Sequence, residues 1–299
     1  DDALSSSRQA IALNPDFADA HLNLSVILLK QGHLDDSLAA AEKALSLAPD
    51  SPGAHTAVAN VLRDFGRFDE AITHYRQAID LKGDFEEAHS NLLMTLHYPP
   101  STISEDFLAA ATAWAKPYND ACPRPTFANK ADPDKRLRVG YVSADFSKHP
   151  VGFYLERILP FHKSQAVEYV GYCNSLKVDE TTERLQQSSS LWRKITNLSD
   201  AALAEQIRQD NIDILIDLSG HTAGNRLGAF ALRPAPVQVT WMGYTGTTGL
   251  KAMDHILADR FVVRDGEEDL FSEQVTFLPG CYLNFDPPRL DIDTAPPPA

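Results

Sequence analysis

The chain has 299 residues, 43% of them hydrophobic, and a formal net charge of −14 at pH 7. This length and composition allow about two domains with well-formed hydrophobic cores. The acidic charge argues against a nucleic-acid backbone or an anionic membrane surface as the main partner, and no apolar run is long enough for a transmembrane helix.

The first third of the chain repeats with a period of 34 residues. The recurring residues are Ala10, Ala44 and Ala78, then Leu13, Leu47 and Leu81, then Asp16, Asp50 and Asp84, then His21, His55 and His89, each of these histidines preceded by Ala. A helix-turn-helix pattern of this period resembles the tetratricopeptide repeat. Gly32 and Gly66 fall where the first helix of a pair is expected to end. The predicted units are the second helix of a pair at 1–13, complete pairs at 15–47 and 49–81, and the start of another pair at 84–97.

Stacked repeats of this kind form a superhelix with a concave binding face, lined by the first helix of each pair. Asn23 and Asn91 occupy equivalent positions there, whereas Ala57 breaks the series. Their side-chain amides are predicted to grip an extended peptide backbone through paired hydrogen bonds, the alternative being that they are solvated polar positions. The repeated histidines are interpreted as packing residues, because they recur with the repeat.

Residues 99–135 are predicted to be a junction between the repeats at 1–98 and a second domain. A helix is expected over 104–116, followed by a proline-containing connector. His97 lies at this seam, where it is interpreted as a structural histidine, with a contact to an acceptor molecule as the alternative.

Residues 136–285 alternate between predicted strands and helices, a pattern that predicts a parallel sheet covered by helices. The predicted strands are 138–143, 167–173, 213–218, 236–241, 254–258 and 274–278, with a weaker one at 192–195. The predicted helices are 151–162, 180–188, 200–210 and 224–231, the third of them starting at Ser199-Asp200.

The first of these strands leads into a loop with polar side chains. After the apolar run from Val139 to Val142 come Asp145 and His149, and Pro150 then suits the start of a helix. Ligands of open parallel sheets bind at the carboxyl ends of the strands. His149 is therefore a candidate functional residue.

Two further loops, at 219–224 and 241–249, are rich in Gly and Thr. Their backbone N–H groups could approach a phosphate or a sugar closely. Neither loop has the spacing of a P-loop, and the first helix does not open on a dinucleotide fingerprint. His221 lies in the first of these loops, so this edge of the sheet is predicted to hold a site.

The three cysteines are far apart in sequence and form no CxxC pair. This pattern indicates reduced thiols and a cytoplasmic protein, and it indicates no zinc site. The chain opens inside a helical pattern without Met, and residues 286–299 are proline-rich. We therefore expect a piece of a longer protein, with 286–299 as a linker.

Four stretches together resemble the O-linked N-acetylglucosamine transferase family, which includes the plant SPINDLY proteins. They are Arg138-Val-Gly-Tyr-Val-Ser-Ala-Asp-Phe-Ser-Lys-His149-Pro, Phe230-Ala-Leu-Arg-Pro-Ala-Pro-Val-Gln, Trp241-Met-Gly-Tyr-Thr-Gly-Thr-Thr-Gly, and Met253-Asp-His-Ile. The resemblance implies an α plus α/β architecture: a tetratricopeptide superhelix followed by the Rossmann-like N-terminal lobe of a GT-B glycosyltransferase. A second lobe, which holds most nucleotide-sugar contacts, would follow the linker. This chain alone is therefore expected to be catalytically incomplete.

The resemblance also implies inverting transfer of N-acetylglucosamine from UDP-N-acetylglucosamine to Ser or Thr hydroxyls of an acceptor protein, without a metal or another cofactor. His149 matches an important cleft histidine, which acts as base, as relay or in orienting the reactants, and Asp145 matches a residue that steers it. Met242, Gly243, Tyr244 and Thr245 match a loop lining the sugar-nucleotide pocket, although animal enzymes have Pro at the position of Thr245. His221, where animal enzymes have Tyr, is expected to line the cleft. His162 and His255 are interpreted as structural.

Two alternatives share this architecture. SPINDLY-type relatives transfer fucose from GDP-fucose, and much of the donor choice would lie in the second lobe. A non-catalytic peptide-binding scaffold is the other alternative, and the retention of Asp145, His149 and the loop after Trp241 argues against it.

Overall fold

The computed structural model describes residues 2–102, 104–123, 125–129, 132, 134–162 and 166–284, without the side chains of residues 104 and 162. The predicted linker at 286–299 and the side chain of His162 lie outside this description.

Six helices form the repeat array, and they lie where the repeat predicts them. Their bounds are α1 (Asp2–Leu13), α2 (Ala18–Lys30), α3 (Leu34–Leu47), α4 (Pro52–Asp64), α5 (Phe68–Leu81) and α6 (Glu86–Thr95). Consecutive helices pack against one another, with small residues such as Ala41, Ala71 and Ala78 fully buried between them. Gly32 and Gly66 have φ values of 79° and 76°, so the first helix of each pair ends on a left-handed glycine as expected.

The repeated histidines brace the turns between units. The Nε2 atoms of His21, His55 and His89 lie 2.8, 3.0 and 3.0 Å from the carbonyl oxygens of the residues six positions earlier. Each ring therefore donates to a turn carbonyl that no helix satisfies. This contact explains why histidine recurs with the repeat, and it confirms the structural interpretation.

A seventh helix, α7 (Ser104–Asp120), joins the array to the second domain. The prediction that it ends at residue 116 is wrong, because the helix continues through Pro117. Proline removes one helical hydrogen bond, but an ion pair of 2.8 Å between Lys116 and Asp120 closes the last turn. The Asn119 side chain also donates to the Gly249 carbonyl oxygen at 2.9 Å, which fixes this turn on the second domain.

The second domain is a seven-stranded sheet in which every described strand pair is parallel. The strands are β1 (Leu137–Ser143), β2 (Val167–Cys173), β3 (Leu191–Lys194), β4 (Ile214–Asp217), β5 (Val237–Thr240), β6 (His255–Ala258) and β7 (Gln274–Phe277). Their order in the sheet is β3-β2-β1-β4-β5-β6-β7. The predicted strands, including the weak one near 192–195, are confirmed.

Successive side chains of each strand enter two separate cores, as the pleat requires. Val139 and Tyr141 belong to one hydrophobic cluster, whereas Val142 belongs to the other. Trp114 of α7 is buried in the same cluster as Val142, so the junction helix forms part of the core of the sheet domain.

The covering helices are α8 (Pro150–His162), α9 (Glu180–Ser188), α10 (Asp200–Gln209) and α11 (Leu227–Ala231), and a 3-10 turn spans Glu268–Leu270. The Ser199 hydroxyl accepts the Ala202 N–H at 3.2 Å, which confirms the predicted start of α10. The prediction that α11 begins at residue 224 is wrong. Gly224 has a φ of 73°, which a right-handed helix excludes, and the helix begins three residues later. Among the described residues, no helix has both the length and the apolar character needed to cross a bilayer.

Candidate functional site

The strand order reverses between β1 and β4, and the loops that follow these two strands meet at the carboxyl edge of the sheet. A Cβ added at Gly224 would lie 2.8 Å from the Cβ of Ala144, so the two loops are in close contact. The Asn174 amide, from the loop after β2, donates to the Gly224 carbonyl oxygen at 2.8 Å. Open α/β sheets bind ligands at such a switch point.

His149 lies on the first of these loops, with 45% of its side chain exposed. Its Nδ1 atom accepts the N–H of Val151 at 3.3 Å. Because Nδ1 is an acceptor, the proton of the neutral ring is on Nε2. The ring thus presents an N–H donor in the observed geometry.

Asp145 is the acidic neighbour of this ring. Its Oδ2 atom lies 3.9 Å from Nδ1 of His149, within ion-pair range and beyond hydrogen-bonding range. The Ser143 hydroxyl accepts the N–H of Asp145 at 2.9 Å, and the Asp145 carbonyl accepts the N–H of Ser147 at 2.8 Å. These bonds hold the loop in a tight turn that points both side chains to the same edge. Asp145 and His149 therefore lie near each other, as a steering role for Asp145 requires.

His221, from the loop after β4, is fully buried. Its ring is packed edge-on against Trp114 and Tyr244, with centroid distances of 4.6 and 5.5 Å. The Nε2 atom lies 3.1 Å from the carbonyl oxygen of Thr248, to which it donates, whereas Nδ1 has no partner among the described residues. Burial lowers the pKa of His221 to about 4, so the ring is neutral at pH 7.

His221 also lines a cavity of about 410 Å³ between the repeat array and the sheet domain, which we call the seam cavity. The cavity is lined by α6, α7, the start of α10 and the loop at 221–225, including Glu86, Glu87, Asn91, Trp114 and Asp200. The expectation that His221 lines a cleft agrees with this position.

Asp217 organises the loop that carries His221, and sequence reasoning did not identify it. It is fully buried and accepts the N–H groups of Ser219 and Gly220 at 3.1 and 2.7 Å, and the Thr240 hydroxyl at 2.9 Å. Burial raises the pKa of Asp217 to about 6. Asp217 is an acidic residue at the end of a buried strand, and this position in the sequence could have identified it.

Glu273 has a similar role in the loop after β5, and it was also missed. Its carboxylate accepts the Thr247 hydroxyl and the Thr248 N–H, both at 2.7 Å. These two contacts cross 26 and 25 residues of sequence, so no local pattern identifies them. They fix the Thr248 residue whose carbonyl oxygen accepts the hydrogen bond from Nε2 of His221.

The four residues predicted to line a sugar-nucleotide pocket differ in exposure. Met242 and Tyr244 are buried, Gly243 is half-buried and Thr245 is exposed. Met242 has a φ of 74°, uncommon for a residue with a side chain. A Cβ at Gly243 would lie 1.9 Å from the Leu218 carbonyl oxygen, so only glycine allows this loop to pack on the end of β4.

The two asparagines predicted to bind peptide are in different environments. Asn23 is exposed on α2, and Asn91 is half-buried on α6. The Asn91 amide donates to Oδ1 of Asn60 at 2.9 Å, and the Tyr75 hydroxyl donates to the same oxygen at 2.7 Å. Only Asn91 of the two lines the seam cavity.

His97 lies between the array and the loop after β5, as expected of a residue at the seam. Its ring is 4.4 Å from the ring of Phe107 and 5.2 Å from that of Tyr244, measured between centroids. Burial lowers the pKa of His97. His255 shares a hydrogen bond of 3.1 Å with the Thr276 hydroxyl, in agreement with a structural role.

The molecule combines a tetratricopeptide array, a junction helix that packs into the core of the sheet domain through Trp114, and a Rossmann-like lobe with loops at the switch point of its sheet. This combination defines a class of two-part proteins. The comparison with protein families identifies the family within that class. Residues 121–289 match the model of glycosyl transferase family 41, and residues 16–84 match a tetratricopeptide-repeat model. The chain belongs to glycosyl transferase family 41.

Individual relatives show the same similarity. The chain is 33% identical over 214 residues to the probable UDP-N-acetylglucosamine–peptide N-acetylglucosaminyltransferase SPINDLY of Arabidopsis thaliana, a match covering 70% of this chain and 23% of the relative. It is 36% identical over 153 residues to the UDP-N-acetylglucosamine–peptide N-acetylglucosaminyltransferase of Caenorhabditis elegans, covering 50% of this chain and 13% of that one.

A solved structure of a mutant O-GlcNAc transferase from Thermobaculum terrenum superposes with a TM-score of 0.88 at 36% identity. The match covers 96% of this chain and 56% of the solved chain. This chain therefore spans little more than half of that structure, and less than a quarter of the two relatives above.

Proposed function

We propose that the protein transfers N-acetylglucosamine from UDP-N-acetylglucosamine to Ser or Thr hydroxyls of proteins, with inversion at the anomeric carbon. The observation that carries this proposal is the exposed ring of His149 at the switch point of a family 41 lobe. The names of the relatives support the same donor and a peptide acceptor.

Transfer to a hydroxyl requires removal of its proton and stabilisation of the charge that develops on the leaving diphosphate. In the observed geometry, His149 can donate from Nε2 but cannot accept a proton there. For Nε2 to act as a base, the ring proton must be on Nδ1, and Nδ1–H then needs an acceptor.

Asp145 supplies that acceptor in our proposal. The distance of 3.9 Å between its carboxylate and Nδ1 has to close by about 1 Å to make a hydrogen bond. A small rotation of the ring would exchange the Val151 N–H for Asp145. Protonation of Nδ1 by solvent and loss of the Nε2 proton to solvent would then give the tautomer with a free lone pair on Nε2. Asp145 is thus a positioning residue that selects the tautomer, and His149 is the group that meets the acceptor hydroxyl.

The donor would lie against the loops after β4 and β5. The N–H group of the exposed Thr245 is the candidate to face the sugar-nucleotide, since the Gly243 N–H already donates to the Trp241 carbonyl oxygen at 2.9 Å. Gly243 would let the donor approach the loop closely, and Met242 and Tyr244 hold the loop from below. The remaining donor contacts are assigned to the second lobe that the family resemblance implies. The proposal includes no resident metal or cofactor.

The acceptor polypeptide would run along the concave face of the array towards His149. Asn23 and Asn91 are the proposed contacts to its backbone, and Asn91 would leave Asn60 to make them. We place the reaction in the cytoplasm, since Cys122, Cys173 and Cys281 are all unpaired.

The test is glycosylation of Ser-containing peptides by the whole protein, followed by intact-mass spectrometry. We expect addition of one N-acetylhexosamine from UDP-N-acetylglucosamine and none of a deoxyhexose from GDP-fucose. The His149→Ala variant should form no glycosylated peptide. The control variant His33→Ala, which replaces an exposed histidine of the array, should form it as the wild type does. Fucose incorporation, or no transfer from either donor, would refute the proposal.

A further inference from the structure

The seam cavity lies where the concave face of the array meets the loops of the switch point. Glu86, Glu87 and Asn91 line it from the array, and Asp200 and His221 line it from the sheet domain. A polypeptide that follows the array to His149 passes this opening. With a volume of about 410 Å³, the cavity is within the range of sites that enclose a small organic group.

The charge of the cavity wall is negative. Three carboxylates line it, and no Lys or Arg does so among the described residues. The guanidinium of Arg226 is buried beside one of these carboxylates and donates to Oδ1 of Asp200 at 2.6 Å and to the carbonyls of Ile195 and Leu198 at 3.1 and 2.8 Å. The N–H donors of Arg226 are therefore used by Asp200 and by the backbone. Its positive charge compensates the Asp200 carboxylate and neither of the two glutamates.

The two glutamates are not neutralised in this way. Oε1 of Glu86 accepts the Tyr118 hydroxyl at 2.6 Å, which adds no positive charge. Glu87 is exposed, and it makes no hydrogen bond or ion pair with another described residue. The cavity therefore offers at least two uncompensated carboxylates to a ligand.

His221 provides an independent indication of a ligand. Its ring is 1% exposed, it lines the cavity, and its Nδ1 is a hydrogen-bond acceptor without a partner in the described structure. Leaving a buried acceptor unpaired costs about 1–3 kcal/mol, so such an atom is normally satisfied by water or a ligand. Because Nε2 carries the proton, Nδ1 can only bind an N–H or O–H donor.

We propose that the seam cavity is a specificity subsite that binds a basic side chain of the acceptor polypeptide. This inference rests on the proposed function. A guanidinium or ammonium group would pair with Glu86 and Glu87, donate to Nδ1 of His221, and lie against the ring of Trp114. Arginine suits all of these partners, since its planar fork carries several N–H donors. The protein would thus favour acceptor sites with a basic residue at a fixed distance from the modified Ser or Thr.

The experiment measures kcat and KM of the whole protein with a series of peptides. Each peptide contains one Ser and one test residue (Arg, Lys, Gln or Glu), and the distance between the two residues varies across the series. At one spacing, Arg and Lys peptides should have a KM roughly fivefold below that of the Gln peptide, and the Glu peptide a KM above it. The kcat of the Gln peptide should match that of the Arg and Lys peptides, so that the preference lies in KM alone. Equal KM values for Arg, Gln and Glu at every spacing would overturn the inference while leaving the proposed function intact; absence of transfer to every peptide would refute the function itself.

A charge-reversal pair locates the subsite. Glu87→Lys should abolish the preference for Arg and create one for Glu at the same spacing. The matched control is Asp80→Lys, which makes the same change of charge at an exposed position outside the cavity and should retain the preference for Arg. If both variants lose the preference equally, the effect comes from the net charge of the protein, and the cavity is not the subsite.

Discussion

The Nδ1 atom of His149 lies 3.9 Å from Oδ2 of Asp145, and it accepts a backbone N–H from Val151 instead of donating to that carboxylate. The ring is therefore held in the tautomer that donates from Nε2. The Val151 N–H needs Nδ1 as an acceptor, whereas the Asp145 carboxylate needs it as a donor, so the two neighbours favour opposite tautomers of the ring. This competition makes the contribution of Asp145 separable from that of His149.

The first prediction separates these two roles. His149→Ala should lower single-turnover glycosylation by roughly 10²–10⁴-fold, because it removes the proton-transfer group. Asp145→Asn should lower it less, since the ring remains but its active tautomer loses a charged acceptor. A rapid-quench assay with mass detection measures both. Wild-type rates in the His149 variant would show that this ring takes no part in proton transfer.

The second prediction concerns the pH dependence of stability. His221 is buried and neutral, and its pKa is lowered from 6.5 to about 4. The unfolded chain binds a proton between these two values that the folded protein does not, so acid favours unfolding there. This group alone should cost about 3 kcal/mol of stability as the pH falls from 7 to 4.

Asp217 has the opposite effect in nearly the same window. Its pKa is raised from 3.8 to about 6, so the folded protein binds the extra proton and loses stability as the pH rises through this range. The two contributions should largely cancel in the wild type. Urea unfolding at several pH values should show His221→Phe gaining stability relative to the wild type on acidification, and Asp217→Asn losing it. Parallel profiles for all three proteins would contradict the assigned burial effects.

The elements of this fold could be predicted from sequence because their signals are local. The period of 34 residues places six helices, and the apolar run from Val139 to Val142 places the first strand beside the loop of Asp145 and His149. The contacts that shape the site are not local. Glu273 holds Thr248 from 25 residues away, and Trp114 of the junction helix packs on His221, so both depend on the assembled tertiary structure.

Boundary errors have a similar origin. The apolar pattern extends the last helix of the lobe back to Gly224, but the backbone there turns left-handed to meet Ala144. The junction helix was expected to stop before Pro117, yet contacts with the lobe stabilise one more turn. In both cases tertiary packing overrides the local preference of the chain.

The third prediction tests the attachment of the junction helix. Gly249 has a φ of 77°, and a Cβ there would lie 2.3 Å from the carbonyl oxygen of Ala111 in α7. Gly249→Ala therefore adds a steric clash to the backbone strain, with an expected cost of about 3 kcal/mol or more. Gly266 has a φ of 87° with no atom within 4 Å of an added Cβ, so Gly266→Ala should cost only about 1 kcal/mol. Chemical denaturation compares the two variants, and equal losses would show that α7 does not depend on this close approach.

The fourth prediction distinguishes bracing from peptide binding at the two repeat asparagines. Asn91 donates to Asn60, which also receives the hydroxyl of the fully buried Tyr75. Asn91→Ala should therefore lower the free energy of unfolding by about 1 kcal/mol. Asn23 is exposed on its helix, so Asn23→Ala should leave stability within about 0.5 kcal/mol of the wild type.

Acceptor kinetics complete this comparison. If both amides grip the peptide backbone, each variant should raise the KM for a long acceptor peptide by a similar factor of roughly two to ten, with kcat retained. If KM rises only in Asn91→Ala, only the asparagine at the seam binds the acceptor. Lining the seam cavity, and not the equivalent position in the repeat, would then determine which asparagine contacts the peptide. An unchanged KM in both variants, with stability lost only in Asn91→Ala, would make Asn91 a brace between neighbouring repeats. Asn91 would then have the same kind of role as the repeated histidines, which stabilise the array through hydrogen bonds and not through ligand binding.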